Sequence, residues 1–162
     1  MLIGVISDTH GHLHPQALVA LRGAELILHA GDIGKQAIID VLESIAPVLA
    51  VRGNSDAGTE LARRYPALQR VEYEGVKIYM THIGGKPGEM VRALPTEAEQ
   101  RPKVVIFGHS HSALLEWVDD VLFLNPGAAG RPRFNNGLSV ALLEVNAGQA
   151  QATIMPLESA AR

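Results

Sequence analysis

Asp8 and His10 stand one residue apart, and His109 and His111 repeat that spacing late in the chain. In an extended backbone, residues i and i+2 project to the same side, so each pair can present two donors to one divalent ion. Asp32 after Gly31, Asn54 after Gly53 and His82 after Thr81 add a carboxylate, an amide carbonyl and a further imidazole. A carboxylate has two oxygens and can bridge two ions, bringing them to about 3.5–4 Å, the separation at which both act on one phosphorus centre. Nitrogen and oxygen donors without sulfur suit manganese, iron or zinc better than magnesium alone, with nickel also admissible. The chemistry expected of such a set is phosphoester hydrolysis at two divalent ions per chain, manganese first among them.

Taken singly, each residue has a plainer explanation. An Asp or Asn after glycine is ordinarily a turn or helix-cap residue, and a lone histidine such as His82 is ordinarily a satisfied core or surface side chain. The joint pattern decides: four of the seven histidines sit at strand ends beside glycine, threonine or aspartate.

The elements that must position these residues follow from periodicity. Leu2 to Ile6 is a nearly continuous apolar run, as in a strand buried on both faces. A helix from Pro15 to Leu21, a strand from Glu25 to Leu28, a helix carrying Ile38, Val41, Leu42 and Ile45, and a strand from Val48 to Val51 complete a βαβαβ first third. Hairpins then replace helices: Arg70 to Tyr73 with Val76 to Thr81 around Glu74-Gly75, Ala113 to Val118 with Val121 to Leu124 around Asp119-Asp120, and Leu138 to Val145 with Gln151 to Met155 around Asn146-Ala147-Gly148. Val104 to Phe107 is one more buried strand. Two half-sheets that stack with helices outside make an α/β, specifically α+β, four-layer αββα sandwich of two mixed sheets. One domain over residues 1–162 is expected, with a frayed tail at 157–162, and the segments 55–67 and 84–101 are the natural lids.

Composition removes several function classes. A chain of 162 residues can bury roughly two thirds of its unfolded surface unaided. Net charge of -3, a pI near 6.1 and seven aromatic residues offer neither an electrostatic footprint nor a stacking platform for extended nucleic acid. No apolar run approaches a membrane span of about 20 residues, and the N-terminus lacks a basic flank. The absence of cysteine excludes disulfides and thiolate ligands and fits a reducing compartment, so a cytoplasmic protein is expected. A homo-oligomer is conceivable, because Leu114, Leu115 and Trp117 put apolar groups on both faces of one strand.

Asp8-x-His10, Gly31-Asp32, Gly53-Asn54, His82 and Gly108-His109-x-His111, in that order, resemble the motif series of the calcineurin-like metallophosphoesterases. Ser7-Asp8-Thr9-His10-Gly11, His29-Ala30-Gly31-Asp32 and Asn125-Pro126-Gly127 resemble in particular the small bacterial and archaeal phosphodiesterase branch, and the likeness runs from Met1 to about Val145. The resemblance implies the four-layer fold and two ligand sets: Asp8, His10, Asp32 and His111 for one metal, and Asp32, Asn54, His82 and His109 for the other. Asp32, Asn54 and His109 are then the residues closest to catalysis.

The expected function is hydrolysis of small phosphodiesters by a metal-activated hydroxide, with no covalent enzyme intermediate. A diester carries one negative charge and needs few extra cations; Asn54, Ser55 and Arg131 are the expected substrate contacts, with Arg133 a further candidate. Where many relatives follow Gly-Asn with a histidine, this chain has Ser55, whose neutral hydroxyl is a poor general acid. Preference for good leaving groups follows. Asp56 is read either as a partner that orients a ligand histidine or as a turn cap. The alternative function is a non-catalytic scaffold of the same fold that binds protein partners, which the complete donor set disfavours; a nuclease would need a capping domain or basic groove that the chain lacks.

Overall fold

The computed structural model describes residues 1–133 and 136–157. The ten strands follow in the expected order, and two short helices beyond the two expected lie in the segments 55–67 and 84–101. The first sheet runs β10-β9-β1-β2-β3, built from β1 (Leu2–Ile6), β2 (Leu26–His29), β3 (Val48–Ala50), β9 (Ser139–Asn146) and β10 (Gln149–Pro156). The second runs β4-β5-β6-β8-β7, from β4 (Leu68–Tyr73), β5 (Val76–Thr81), β6 (Val104–Ile106), β7 (Leu114–Val118) and β8 (Val121–Asn125). In each sheet the strands that feed the site are parallel, β1 with β2 and β2 with β3, β5 with β6 and β6 with β8, while the flanking hairpins are antiparallel.

Ile3, Val5, Leu28, Ile78, Met80, Ile106, Leu124 and Leu143 meet between the two sheets. On the outer face of the first sheet lie α1 (Pro15–Ala20) and α2 (Gln36–Leu42), through Ala17, Leu21, Ile38, Ile39 and Leu42. On the outer face of the second, α4 (Pro87–Ala93) packs Val91 on Val105, Phe107 and Phe123. The remaining helix, α3 (Glu60–Arg64), follows a single 3-10 turn at Asn54–Asp56. The four-layer αββα sandwich expected from the sequence is therefore the fold. Edge strand β7 leaves Leu115 and Trp117 exposed. Among the described residues no helix is long and apolar enough to cross a membrane.

Boundaries shift by one to three residues, the β4 hairpin starting at Leu68 rather than Arg70 and the last strand at Gln149 rather than Gln151. The turns explain why the pairs hold: Glu74-Gly75 and Ala147-Gly148 both have positive φ at both positions, the conformation that matches strand twist in a two-residue hairpin. One lid expectation fails. After α4, the segment up to Arg101 is fastened to the outer face of the second sheet, where Lys77 and Tyr79 donate to the carbonyls of Glu99 and Gln100 and Arg101 pairs with Asp120 at 3.0 Å. The expected tail at 157–162 falls almost wholly on residues 158–162, outside the described residues, while Leu157 itself donates its N–H to Leu138.

Candidate metal centre

Every expected donor follows the C-terminal end of a strand in a parallel pair, the edge at which α/β sheets present their ligands. Asp8 and His10 follow β1, Asp32 follows β2, Asn54 follows β3, His82 follows β5, and His109 and His111 follow β6. Among the described non-glycine residues eight have positive φ, and five of them are Asp8, His10, Asp32, His109 and His111, the other three lying in hairpin turns. Left-handed backbone at bulky residues is held only where the surroundings enforce it, and it concentrates at functional sites. Here it occurs at five of the seven donors, in the loops that follow β1, β2 and β6.

The side chains converge in two groups, Asp8 with His10 and His111, and Asp32 with His82 and His109. Asp8 Oδ1 is 3.3 Å from His111 Nε2, and the Nε2 atoms of His10 and His111 face each other at 3.2 Å. Asp32 Oδ2 reaches both groups, 3.6 Å from His10 Nε2 and 3.2 Å from His82 Nε2. Asn54 Oδ1 lies 3.0 Å from His109 Nδ1. Donors bonded to one ion at about 2.1 Å stand roughly 3.0–3.4 Å apart, and all of these separations but the 3.6 Å between Asp32 and His10 fall in that range.

Two further observations fit a metal better than a self-sufficient polar cluster. His82 Nδ1 lies 2.7 Å from the Ala30 carbonyl, which can only accept; Nδ1 therefore carries the proton, and Nε2 turns its lone pair into the centre. That Nε2 and Asp8 Oδ1 are buried without a hydrogen bond, as is His111 Nδ1. Buried polar atoms left unpaired are unfavourable unless something binds them, and two of the three point where a cation would sit.

The charged groups of the cluster also act on one another. Burial alone would raise the Asp32 carboxyl, but the His82 imidazole and the Ser55 groups hold it well below the usual carboxylate range. For His82, burial opposes the charged form and is outweighed by Asp32, the Ala30 carbonyl and Asp8, so its pKa rises. His10 is lowered, first by burial, with the charge of Arg133 adding to it against Asp32 and Asp8.

The supporting contacts correct part of the sequence reading. Asp56 touches no ligand histidine; it is buried and accepts three backbone N–H groups, Gly53 at 2.9 Å and Ile33 at 3.1 Å on Oδ2, and Gly34 at 3.1 Å on Oδ1. It ties the Asp32 loop to the Asn54 loop. The turn-cap reading holds, and the expected contact to a ligand histidine is replaced by backbone N–H groups of the neighbouring loop. Ser55 donates its N–H to Asp32 Oδ1 at 2.9 Å, and its side chain lies exposed beside Asn54. Arg131 is exposed and has no hydrogen bond to a site residue among the described residues, and its neighbour Gly130 packs closely on the backbone of Thr9 and His12; the charge of Arg133 reaches His10. His14 Nδ1 accepts from Gln16 N–H and caps α1, which accounts for it structurally.

Three positioning residues had no role assigned from the sequence. Ser7 donates to Asp8 Oδ2 at 2.7 Å. Fully buried Asn125 donates to the Gly108 carbonyl and Ser110 Oγ, both at 3.1 Å, and accepts from Gly127 N–H, holding the His109–His111 loop. His29 accepts from Gly31 N–H on Nδ1, so its Nε2 proton points at Thr9 Oγ1 3.0 Å away, and Thr9 passes its own to the Ile33 carbonyl. The available signal was polar residues at the ends of runs that read as fully buried strands.

His29 also carries a pH prediction. Burial pushes its pKa down from 6.5 to about 3. The folded state keeps it neutral while the unfolded chain protonates near 6.5, so its contribution is full above that pH and is lost as pH falls toward 3. Metal-free protein should lose stability through this window with a slope steeper by up to about 1.4 kcal/mol per pH unit than His29→Gln. Urea unfolding at pH 7, 6, 5 and 4 measures both slopes; parallel curves would contradict the assignment.

The glycines of the motifs are forced by contact. A Cβ on Gly53 would stand 2.0 Å from Asp32 Oδ1, and one on Gly31, at φ +102°, would meet the His82 ring at 2.7 Å.

A four-layer sandwich with carboxylate, imidazole and amide donors at its strand ends defines the metallophosphoesterase class. A family model for the calcineurin-like phosphoesterase superfamily domain matches residues 1–148, and the chain belongs to that superfamily. A probable metallophosphoesterase of Methanothermobacter thermautotrophicus is 35% identical over 161 residues, covering 96% of this chain and 92% of the relative. Among solved structures, an archaeal phosphodiesterase superposes with a TM-score of 0.76 at 26% identity, covering 96% of this chain and 100% of that one. Vps29 from Chaetomium thermophilum gives 0.77 at 21% identity over 97% of this chain and 95% of that one, a likeness of fold.

Proposed function

We propose that this protein hydrolyses small phosphodiesters with two divalent ions, manganese the first candidate, in the cytoplasm. The observation that carries the reading is the convergence of all seven donors on one edge with Asp32 Oδ2 facing both groups. Asp8, His10, Asp32 and His111 would hold one ion, and Asp32, Asn54, His82 and His109 the other. Such a pair, when bound, supplies a water acidic enough to lose its proton near neutral pH and neutralises charge on the phosphoryl oxygens.

The protein's own groups do the rest. The Ala30 carbonyl fixes the His82 tautomer, Ser7 and the His109 N–H fix Asp8 Oδ2, and the Ser55 N–H fixes Asp32 Oδ1, so the opposite oxygens face the centre. Asn54 and Ser55 form the exposed rim beside His109, where a phosphoryl oxygen can be held. Because Ser55 offers no acid near neutral pH, leaving groups of low pKa are favoured. The scaffold alternative loses ground here: a pocket kept only for protein binding has no need of five left-handed donor residues.

The test compares bis-p-nitrophenyl phosphate with p-nitrophenyl phosphate, using chelator-stripped protein with and without manganese. Stripping should remove activity, manganese should restore it, and the diester should be cleaved at least about tenfold better than the monoester. Folded protein that binds no metal and cleaves neither compound would refute the reading.

A further inference from the structure

The segment joining β5 to α4 contributes to the lining of two clefts. On one side His82 and Ile83 face Asn54, Ala57, Ala62 and Ala67 across a space of about 560 Å³. On the other, Gly84 and Gly85 face Phe107, His109, Ala113 and Leu114 across about 360 Å³. Both volumes fall in the range of small-molecule sites. The two histidines of the Asp32 donor group are thus divided, His82 in one cleft and His109 in the other.

Each of these histidines therefore borders a largely apolar cleft that a substituent on phosphorus could enter. A phosphomonoester has one organic substituent and would leave one cleft empty, whereas a diester has two. Ile83, 56% exposed, stands at the rim of the first cleft, where a large aliphatic side chain gains only by being covered. Among the described residues, the one arginine or lysine in that wall is Arg52, which donates to the carbonyls of Tyr65 at 3.2 Å and Ala62 at 3.4 Å, bracing α3 as the cleft's far side. Resting on the two-metal reading, we propose that the substrate is a phosphodiester with two bulky apolar arms, aryl or nucleoside in size, one seated against Ile83 and Ala62 and the other against Gly85, Phe107 and Leu114.

Filling each cleft separately tests this. A Cβ on Gly85 meets only Met90, at 3.9 Å, so Gly85→Phe is sterically open, and Ala62→Phe fills the opposite side. With manganese-loaded protein, calorimetry should show diphenyl phosphate binding weakened at least about tenfold by each variant, while dimethyl phosphate binding and the bound-metal count stay as in wild type. Ile83→Ala, at an exposed position that cannot jeopardise folding, should weaken diphenyl phosphate several-fold. Hydrolysis of bis-p-nitrophenyl phosphate should fall in both filling variants, and that of p-nitrophenyl phosphate in no more than one.

Diphenyl phosphate binding within twofold of wild type in either filling variant, or equal loss for dimethyl phosphate with the metal retained, overturns the two-arm assignment. Wild-type protein that binds diphenyl phosphate through both clefts yet hydrolyses no diester would instead overturn the catalytic reading and leave the two-arm assignment standing.

Discussion

On the proposed two-ion reading, Asp32→Ala is expected to lower diester hydrolysis on the order of a thousandfold and to reduce the bound metal from two ions per chain to one or none. Asp32 Oδ2 is the carboxylate oxygen that stands nearest both donor groups, so its removal opens both shells at once, whereas any imidazole belongs to one. The second carboxylate oxygen adds to the loss: Ser55 N–H, which it accepts at 2.9 Å, turns to solvent and frees the rim carrying Asn54. Asn54→Ala should be milder, because it removes a neutral, exposed donor and leaves His109 in place. A thermal readout separates loss of metal from loss of fold. Wild type should gain stability with added manganese according to RT ln(1 + [L]/Kd), and Asp32→Ala should gain little while unfolding cooperatively on its own. Activity within tenfold of wild type, or two ions still bound, would remove Asp32 from the bridging position.

The donors were legible in the sequence because their chemistry is carried by residue type and their placement by strand ends, two properties that survive without coordinates. Asp8, Asp32, His82 and His109 each follow an apolar run, and each run became a strand. Glu74-Gly75 and Asn146-Ala147-Gly148 set the hairpins through local backbone preference, also a property of adjacent residues. What could not be read depends on long-range contact. Two of the three partners of Asp56, Ile33 and Gly34, belong to a loop that meets it only once β2 and β3 are side by side, while the third, Gly53, is local to its own turn. Arg131 and Arg133 are equivalent in a sequence of alternating residues, and only the path of the chain makes Arg133 the one felt at His10. The 84–101 segment looked like a lid because it lacks strand periodicity; its anchors, Lys77, Tyr79 and Asp120, come from β5 and the β7–β8 turn.

Asp56→Ala is expected to destabilise the protein by about 3–5 kcal/mol and, where folded protein is recovered, to weaken metal binding about 10–100-fold. Its carboxylate accepts three backbone N–H groups from two loops, and truncation leaves all three without an acceptor. The two loops carry Asp32 and Asn54, so the same bonds that stabilise the fold set the distance between two donors of the second group. Asp56→Asn separates these roles. One amide oxygen can serve Ile33 and Gly53 as Oδ2 does now, but the amide nitrogen then confronts Gly34 N–H, a donor against a donor. That variant should lose roughly half the stability that alanine loses, about 2 kcal/mol, while holding the Asp32 and Asn54 loops together and keeping metal affinity near wild type. Equilibrium unfolding of metal-free protein, paired with manganese titration, places the variants on two axes. If metal affinity fell in strict proportion to stability across both, Asp56 would be a generic fold contact; retained affinity in asparagine with lost affinity in alanine identifies it as the residue that spaces the loops.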